Sequence, residues 1–256
     1  MEFLKNDNGI RYFEVPLDEN GTVKSWFSTR PGEKKLDNPD RECFDGPFLA
    51  ILSKKGADTT RMVSLKQVHG TGVITVKDEM LPGKILNTIG IGDALVSGLG
   101  HTPLVIKVAD CLSIQLWDPS SRAIANIHCG WRSGAKNIIS LTVAKMIKLY
   151  GFKPNTAKAA LMPSISRENY LVGNDVYRAY VDNIEGMEIF FDQQGDGSWL
   201  FDLRGMALDL LKRTGIRDEN ISNIDLCTFK NSDLFYSFRR DGKSTGRMLA
   251  VIEKNN

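Results

Sequence analysis

Three side chains of types that bind transition metals stand at the ends of apolar, strand-like runs of this sequence. His69 follows the run MVSLKQV, Cys111 precedes the run LSIQLW, and His128 closes the run AIANIH. Because neighbouring strands end at a common edge of a sheet, we expect these side chains to converge there. Two imidazoles and one thiolate suit Zn²⁺, and three protein ligands leave a fourth position open for water or substrate.

A purely structural interpretation of the same residues stays open at this point. A cysteine such as Cys111 most often packs as a small hydrophobic residue, and a histidine at a strand end is most often only hydrogen-bonded. The spacing His-x41-Cys-x16-His also matches no short zinc motif. On residue types and spacing alone, structural residues are therefore the default interpretation, and a metal site is the alternative.

The segment HCGWRSGAKNII adds a second feature directly after His128. It places Gly130 and Arg132 at the predicted start of a helix. A helix start offers backbone N–H donors and the positive end of the helix dipole, which together bind anions. The alternative is that the glycines only form a turn while Trp131 packs in the core. The proximity of His128 favours an anion site beside the metal.

Further charged residues could complete such a site. Arg30 in FSTR and Arg239 in FYSFRRD follow strand-like runs, and an arginine can hold phosphate or carboxylate through two hydrogen bonds. Asp93 and Asp110 could act as acid or base near the metal. Solvated arginines and aspartates that cap turns are the structural alternatives for these four residues.

Composition sets limits on the function classes. The 256 residues, of which 42% are hydrophobic and 25% charged, fit one soluble domain spanning residues 1–256. The net charge of +2 and the scattered basic residues give no reason to expect nucleic acid or membrane partners. The N-terminal MEFLKNDNGIRYFEV lacks the apolar core of a signal peptide, so we expect a cytoplasmic protein.

The spacing of the four cysteines is also consistent with the expected cytoplasmic location. Cys43, Cys111, Cys129 and Cys227 show no paired spacing and no C-x-x-C motif. In a reducing compartment such cysteines are free thiols or metal ligands rather than a disulfide framework.

Many short alternating runs predict strands, and turn residues such as DPSS separate neighbouring runs. This pattern favours antiparallel hairpins, with mixed, largely antiparallel sheets and flanking helices in an α+β fold. The predicted strands are VKSWFS, MVSLKQV, GVITV, ALVS, PLVIKVA, LSIQLW, AIANIH, KAALM, IDLCT and MLAVI.

Fewer helices are predicted than strands. The first begins with Ser133 as N-cap and ends at Gly151, and the second lies between Asp202 and Gly215. A third helix is predicted over Asn174–Ile184. The two segments with the strongest loop character are Arg30–Cys43 and Lys77–Gly92.

Eight motifs resemble those of a known family in their order along the chain. They are FSTR, LKQVHG, GDALVS, VADC, HCGWRSG, PSISRENYLVG, CTFKNSDLFYSFRRD and GR, and they extend from Phe27 to Arg247. The sequence is similar to the laccase-domain family, whose members have been called multicopper polyphenol oxidases. More recently, members have been described as zinc-dependent purine nucleoside phosphorylases with adenosine deaminase activity. Bacterial relatives include the peptidoglycan editing factor.

The resemblance implies that His69, Cys111 and His128 are the metal ligands, and that helices flank two sheets in an αββα arrangement. The sequence departs from the family pattern in the segment after FSTR, where PGEKKLDNPD is short and a Gly-rich, LNL-containing stretch is missing. This change puts the substrate pocket in question. Single-residue departures are Ser113 for proline, Cys129 for alanine, Ser133 for glycine and Met162 for glycine.

The function favoured by these observations is a zinc-dependent purine nucleoside phosphorylase. It would act on adenosine, inosine or guanosine together with phosphate, and adenosine deamination would be a second activity. The familiar nucleoside deaminase motifs H-x-E and P-C-x-x-C do not occur, so deamination would need another site design.

Three alternatives stay open. A cysteine hydrolase could edit peptidoglycan precursors with Cys111 as nucleophile and His128 as base. A single copper could occupy the same ligands in a polyphenol oxidase, but three histidines are too few for a multicopper centre. A metal-stabilised binding module without catalysis is the third alternative.

Overall fold

β-Strands form the frame of the protein in this computed structural model, which describes residues 3–30, 46–81 and 87–255. In chain order the strands are β1 (Leu4–Asp7), β2 (Ile10–Glu14), β3 (Val23–Ser28), β4 (Val63–Lys66), β5 (Val73–Thr75), β6 (Asn87–Ile91), β7 (Ala94–Ser97), β8 (Leu104–Val108), β9 (Leu112–Asp118), β10 (Ala123–Cys129), β11 (Lys158–Leu161), β12 (Leu171–Gly173), β13 (Phe191–Gly195), β14 (Ser198–Phe201), β15 (Ile221–Asn223) and β16 (Met248–Lys254). The helices are α1 (Pro47–Lys54), α2 (Trp131–Ala135), α3 (Ile138–Tyr150), α4 (Asn174–Val181), α5 (Leu203–Arg213) and α6 (Phe238–Asp241).

Two large sheets and one small sheet contain these strands. The first sheet has the order β1-β2-β3-β16-β8-β4-β6, and the second has the order β15-β11-β9-β10-β7-β5. The third consists of β12, β14 and β13. Most neighbours are antiparallel, while β4 runs parallel to β6 and β8, β5 to β7, and β11 to β15. The prediction of mixed, largely antiparallel sheets is confirmed.

The two large sheets pack face to face, and helices cover their outer faces. Leu65 and Ile106 of the first sheet share a buried cluster with Leu95 and Ile124 of the second. On the outer face of the first sheet, α1 packs against neighbours that include Trp26. On the outer face of the second sheet, a larger cluster includes residues of α3, α4 and α5. The order of layers is therefore αββα, as the family resemblance implied.

The β9–β10 hairpin explains how the His128 side chain comes to lie between the sheets. In β10, Ile124 belongs to the cluster between the sheets, whereas Ala125 and Ile127 belong to the cluster beneath the helices. Successive strand residues point to opposite faces. The same alternation puts Asn126 and His128 on the inner face, with His128 at the end of the strand.

The predicted helix from Ser133 to Gly151 is two helices. The first, α2, begins at Trp131 with Gly130 as its N-cap, so Ser133 is already its third residue. The chain then breaks at Asn137, whose φ is 54° and whose side chain accepts a hydrogen bond from the Ser140 N–H. Asparagine tolerates this left-handed conformation and restarts the helix as a cap. Gly151 ends α3 in the left-handed region, as predicted.

The other two predicted helices are present. Asp202 caps α5 through the Gly205 N–H, and the helix ends at Arg213, before Gly215. The helix predicted over Asn174–Ile184 ends at Val181.

Two further predictions were wrong in part. The predicted loop Lys77–Gly92 contains the edge strand β6, which pairs in parallel with β4. The strand predicted at IDLCT lies earlier, at Ile221–Asn223, where the chain pairs with β11, and within IDLCT itself Cys227 forms an isolated bridge with Ser164. Most of the predicted loop Arg30–Cys43, including Cys43, lies outside the described residues. Among the described residues, no helix is long and apolar enough to cross a membrane.

A polar side chain joins the two sheets. The Asn126 Nδ2 donates hydrogen bonds to the carbonyls of Leu104 in β8 and Ala250 in β16, both at 2.9 Å. Its Oδ1 accepts from the Ser113 hydroxyl at 2.8 Å, and the side chain is fully buried. Buried polar groups that lose their partners cost free energy, so this bridge fixes the register of one sheet on the other.

We expect Asn126→Ala to lower the free energy of unfolding by about 2–3 kcal/mol, because it leaves the Ser113 hydroxyl without its acceptor and opens a small cavity. Urea denaturation followed by circular dichroism measures the change. Asn183→Ala removes a comparable side-chain hydrogen bond on the exposed end of a helix and should change stability by less than about 0.5 kcal/mol. Equal effects of the two substitutions would contradict the role of Asn126.

Candidate metal centre

The structure brings His69, Cys111 and His128 together from three different elements. His69 lies in the loop after β4 of the first sheet, and His128 lies in β10 of the second. Cys111 lies in the link from β8 to β9, where the chain passes from one sheet to the other. Their ligand atoms all lie within 4.8 Å of one another. The cluster therefore occupies one end of the space between the sheets.

The distances suit a transition-metal ion. The Cys111 Sγ lies 3.8 Å from the His69 Nε2, and the His69 and His128 ring centroids are 4.7 Å apart at an interplanar angle of 72°. Bond lengths of about 2.0–2.3 Å in a tetrahedral zinc site put neighbouring ligand atoms roughly 3.5 Å apart. A slight contraction of the cluster would satisfy this geometry.

Asp93 fixes the orientation of both histidines. Its buried Oδ1 lies 2.8 Å from the His128 Nδ1 and accepts the His69 backbone N–H at 2.9 Å. Its Oδ2 accepts the N–H groups of Gly70 at 2.7 Å and Val68 at 3.3 Å. A proton on the His128 Nδ1 leaves the Nε2 as the metal-binding atom, as is common for histidine ligands backed by a carboxylate.

Hydrogen bonding also keeps Asp93 ionised. Burial raises the pKa of this carboxyl, but the hydrogen bonds from His128 and from the Gly70 and His69 N–H groups outweigh burial and lower it. The backbone at His69 is unusual, with a φ of 56°, and the hydrogen bonds from the N–H groups to Asp93 stabilise it. A non-glycine residue in this region is strained, and its persistence here depends on the Asp93 carboxylate.

Because Gly130 has no side chain, His69 and Cys111 can occupy the space beside it. A Cβ at this position would lie 2.8 Å from the His69 Cδ2 and 3.0 Å from the Cys111 Sγ. Contacts this short would displace both ligands. Glycine is therefore required by the close approach of the backbone to the metal ligands, whereas its φ of −90° is open to any residue.

The thiol and the imidazoles influence one another strongly. Burial raises the pKa of Cys111, but the positive charge and hydrogen bond of His128, together with the hydrogen bond of His69, lower it to about 6. Burial lowers the pKa of His128, while the Cys111 thiolate and Asp93 raise it. Both pKa shifts favour a thiolate beside an imidazolium when no metal is bound.

Asp110 holds the C-terminal segment against the cluster. Its carboxylate accepts hydrogen bonds from the Thr228 hydroxyl at 2.6 Å, the Ser237 hydroxyl at 3.0 Å and the Arg239 backbone N–H at 2.6 Å. Its φ is 82°, which turns the chain sharply just before Cys111. The carboxylate thus joins the ligand loop to the start of α6.

A cavity of about 660 Å³ opens onto the three ligands. Its lining carries an excess of positive charge and several aromatic rings. The residues that line it are Lys66, Gln67, His69, Lys107, Val108, Ala109, Asp110, Cys111, His128, Trp131, Arg132, Ile165, Tyr170, Leu203, Phe238, Arg239 and Arg247.

Of the arginines predicted to bind an anion, two line the cavity and one does not. Arg132 and Arg239 line the cavity, where Arg132 stacks on Trp131. Arg30 is not among the lining residues, and its guanidinium donates to the Ser232 carbonyl and lies over the Tyr236 ring. The Arg239 guanidinium likewise donates to the Leu171 carbonyl, but this arginine does line the cavity.

The helix start is also less open to an anion than the sequence suggested. Gly130 is the N-cap of the five-residue helix α2, and its N–H already donates to the Ser133 hydroxyl at 3.0 Å.

Several lining residues were not predicted from the sequence. Lys66 and Gln67 precede His69 in LKQVHG, and Lys107 precedes Cys111 in the motif region KVADC, so proximity to the ligands could have indicated them. Tyr170 and Phe238 come from distant segments and have no spacing that relates them to the ligands. Only the folded chain brings these two rings to the cavity.

Comparison with known proteins supports one family. Residues 48–255 match the family model described as multi-copper polyphenol oxidoreductase laccase. The purine nucleoside phosphorylase of Deinococcus radiodurans is 35% identical over 253 residues, with 91% of this chain and 90% of that protein covered. The purine nucleoside phosphorylase YfiH of Escherichia coli is 30% identical over 240 residues, with coverages of 90% and 93%.

Solved structures agree with this assignment at the level of the fold. The Bacillus licheniformis hypothetical protein YfiH is 22% identical and superimposes with a TM-score of 0.88 over 98% of this chain and 99% of that one. The YlmD protein of Geobacillus stearothermophilus is 21% identical, with a TM-score of 0.83 and 99% of each chain covered. The chain therefore belongs to the laccase-like family described as multi-copper polyphenol oxidoreductase, in which its curated relatives carry the name purine nucleoside phosphorylase.

Proposed function

We propose that this protein is a zinc-dependent purine nucleoside phosphorylase acting on adenosine, inosine or guanosine. The observation that carries the proposal is a three-ligand cluster that faces a cavity lined by cations and aromatic rings. Three ligands with an open fourth position are typical of catalytic zinc, whereas structural zinc has four protein ligands. The names of the relatives in the family support the same reaction.

His69, Cys111 and His128 would hold the zinc ion, because their donor types and spacing fit it. When bound, zinc supplies a Lewis acid that polarises a substrate oxygen or nitrogen. Asp93 acts as a positioning residue in this proposal, since hydrogen bonds from His128 and from the backbone of residues 68–70 occupy its carboxylate. Asp110 has the same role toward the cavity wall.

The remaining cavity residues would bind the two substrates. Phe238, whose side chain is half exposed, offers a ring face on which a purine can stack, whereas Arg132 and Arg239 already cover one face each of Trp131 and Tyr170. Arg132 and Arg239 offer guanidinium groups for phosphate. In phosphorolysis a phosphate oxygen forms a bond to ribose C1′ while the C1′–N9 bond breaks. The bonding electrons leave with the purine, which then takes up a proton.

A specific observation also favours a second candidate, a cysteine hydrolase that edits peptidoglycan precursors. The lowered pKa of Cys111 and the raised pKa of His128 describe a thiolate–imidazolium pair, as nucleophilic cysteines require. A thiolate bound to metal is not available as a nucleophile. Metal content therefore separates the two functions.

Copper chemistry has less support. The whole chain has three histidines, and among the described residues His69, Cys111 and His128 form the one cluster of three or more side chains that could hold a metal. A multicopper centre needs many more histidine ligands than this chain contains. A single copper on the same ligands would appear directly in the metal analysis below.

We expect purified protein to contain about one zinc per chain and to release hypoxanthine from inosine only with phosphate present. His128→Ala should lose the zinc and reduce base release at least about 100-fold. Elemental analysis and an absorbance assay measure these changes. His101→Ala is the matched control, because His101 is not among the residues that line the cavity. Its backbone N–H donates to the backbone carbonyl of Lys254.

Three outcomes would contradict the proposal in different ways. Zinc without base release would favour a different substrate. Protein that never contains metal yet hydrolyses an amide would favour the cysteine hydrolase. Copper with phenol oxidation would favour the oxidase.

We expect Gly130→Ala to lower zinc affinity about 10- to 100-fold while the protein stays folded, because the new Cβ displaces His69 and Cys111. Competition with a coloured chelator measures the affinity, and circular dichroism measures folding. Gly195→Ala is the matched control, since its Cβ would make only an ordinary contact of 3.6 Å with the Ser198 hydroxyl. Unchanged zinc affinity in Gly130→Ala would show that the three side chains do not bind zinc as a unit.

We expect Cys111 in metal-free protein to be alkylated by iodoacetamide with a midpoint near pH 6, because the thiolate is the reactive form and its pKa is lowered to about 6. Reaction should be fast above this pH and slow below it. Mass spectrometry of the Cys111 peptide measures the rate, and added zinc should protect the thiol. A midpoint between pH 8 and 9 would contradict the thiolate–imidazolium pair.

A further inference from the structure

Among the described residues, the cavity lining carries an excess of positive charge. Five of these lining residues are cationic, namely Lys66, Lys107, Arg132, Arg239 and Arg247. The one carboxylate in the described lining, Asp110, is engaged by Thr228, Ser237 and the Arg239 backbone. Like charges gathered around one space repel each other, and an anionic ligand relieves this repulsion.

The cations form two groups on different walls. Arg132 and Arg239 each lie over an aromatic ring, with the guanidinium carbon 4.1 Å from the centroid of Trp131 and 5.2 Å from that of Tyr170, respectively. Arg132 follows β10 of the second sheet, and the Arg239 guanidinium donates to the Leu171 carbonyl of the third sheet. These two arginines are the pair assigned to phosphate above.

The second group comes from three adjacent strands of the first sheet. Val63 of β4 pairs with Leu104 of β8 in parallel, and the Gln67 side chain bonds to the Lys107 backbone, so Lys66 and Lys107 lie near the same ends of adjacent strands. Lys107 pairs in turn with Leu249, so Arg247 directly precedes β16 on the other side of β8.

These three cations also share one face of the first sheet. Leu65 and Ile106, their neighbours along the strands, point into the core between the sheets. Alternation therefore gives Lys66 and Lys107 a common face, opposite to the core, together with Arg247, which precedes the inward-pointing Met248. All three lie at or next to strand ends, where they line the cavity.

The backbone beneath this second group is fixed by a side chain. The Gln67 amide donates to the Lys107 carbonyl at 2.8 Å and accepts the Lys107 N–H at 2.9 Å. This pair of hydrogen bonds holds β4 against β8 where the loop to His69 begins. The Arg247 guanidinium is oriented by its bonds to the Thr245 and Gly246 carbonyls. In residues 3–30, 46–81 and 87–255, no carboxylate forms an ion pair with Lys66 or Arg247.

We propose that Lys66, Lys107 and Arg247 form a second anion subsite, which binds a phosphoryl group. This inference rests on the proposed function, because it names a substrate group for the same cavity. The phosphoryl group can come from inorganic phosphate or from the 5′-phosphate of a purine nucleotide. Two ammonium groups and a guanidinium held by neighbouring strands match the charge and the several oxygens of such a dianion.

The test compares Lys66→Gln/Arg247→Gln with the charge-matched control Lys148→Gln/Arg217→Gln, whose residues are exposed and lie outside the cavity lining. Calorimetry on the zinc-loaded proteins measures the binding of adenosine 5′-monophosphate, adenosine and inorganic phosphate, each alone. The KM for phosphate in inosine phosphorolysis is measured in parallel. Lys66→Gln alone serves if the double variant does not fold, because Lys66 is exposed.

We expect the cavity variant to lose at least about tenfold in affinity for the phosphoryl ligand and less than twofold for adenosine. A loss confined to adenosine 5′-monophosphate assigns the subsite to the nucleotide. A loss of affinity for inorganic phosphate, with a raised KM, assigns it to the co-substrate.

Unchanged binding of both ligands, or equal losses in the control, would overturn the subsite. The binding measurements need no turnover, so they remain decisive even if inosine phosphorolysis is absent and the proposed function fails.

Discussion

The hydrogen bond between the Asp93 carboxylate and the His128 imidazole, 2.8 Å long, is the interaction on which the site depends. The same carboxylate accepts backbone N–H groups around His69, including that of His69 itself. One buried anion therefore positions two ligands that come from different sheets. An unpaired carboxylate in this place would be costly, and its four hydrogen bonds are what make it tolerable. The arrangement links the packing of the sheets directly to the geometry of the ligands.

The backbone packs closely against one side of the cluster, and the cavity lies next to it. Gly130 lets the backbone pass within contact distance of His69 and Cys111, and the cavity opens onto the same cluster. Cations and aromatic rings surround that opening, while Asp110 keeps the C-terminal segment in place. A bound divalent ion next to these cations would strengthen the attraction for anionic substrates further.

How much of this could be predicted from the sequence depended on whether the signal was local. Alternation in the β9–β10 hairpin predicted that His128 ends a strand, and the family motifs implied its grouping with His69 and Cys111. The break at Asn137 was missed because helical periodicity continues across it, although asparagine in the left-handed region interrupts the backbone. Tyr170 reaches the cavity only through tertiary packing, which no spacing along the chain encodes.

The side chains available as metal ligands also bear on whether this chain could be a multicopper oxidase, as the name of its family suggests. Electron transfer through several coppers needs several clusters of histidine, yet His101 lies before β8, near Lys254, whereas Cys111 follows the far end of β8. Among the described residues, the side chains that could bind a metal gather at one point, where they could hold one ion and leave one position open. Such a centre suits polarisation of a bond in a single substrate. The chemistry that distinguishes one substrate from another must therefore come from the cavity wall, where this chain places its cations and rings.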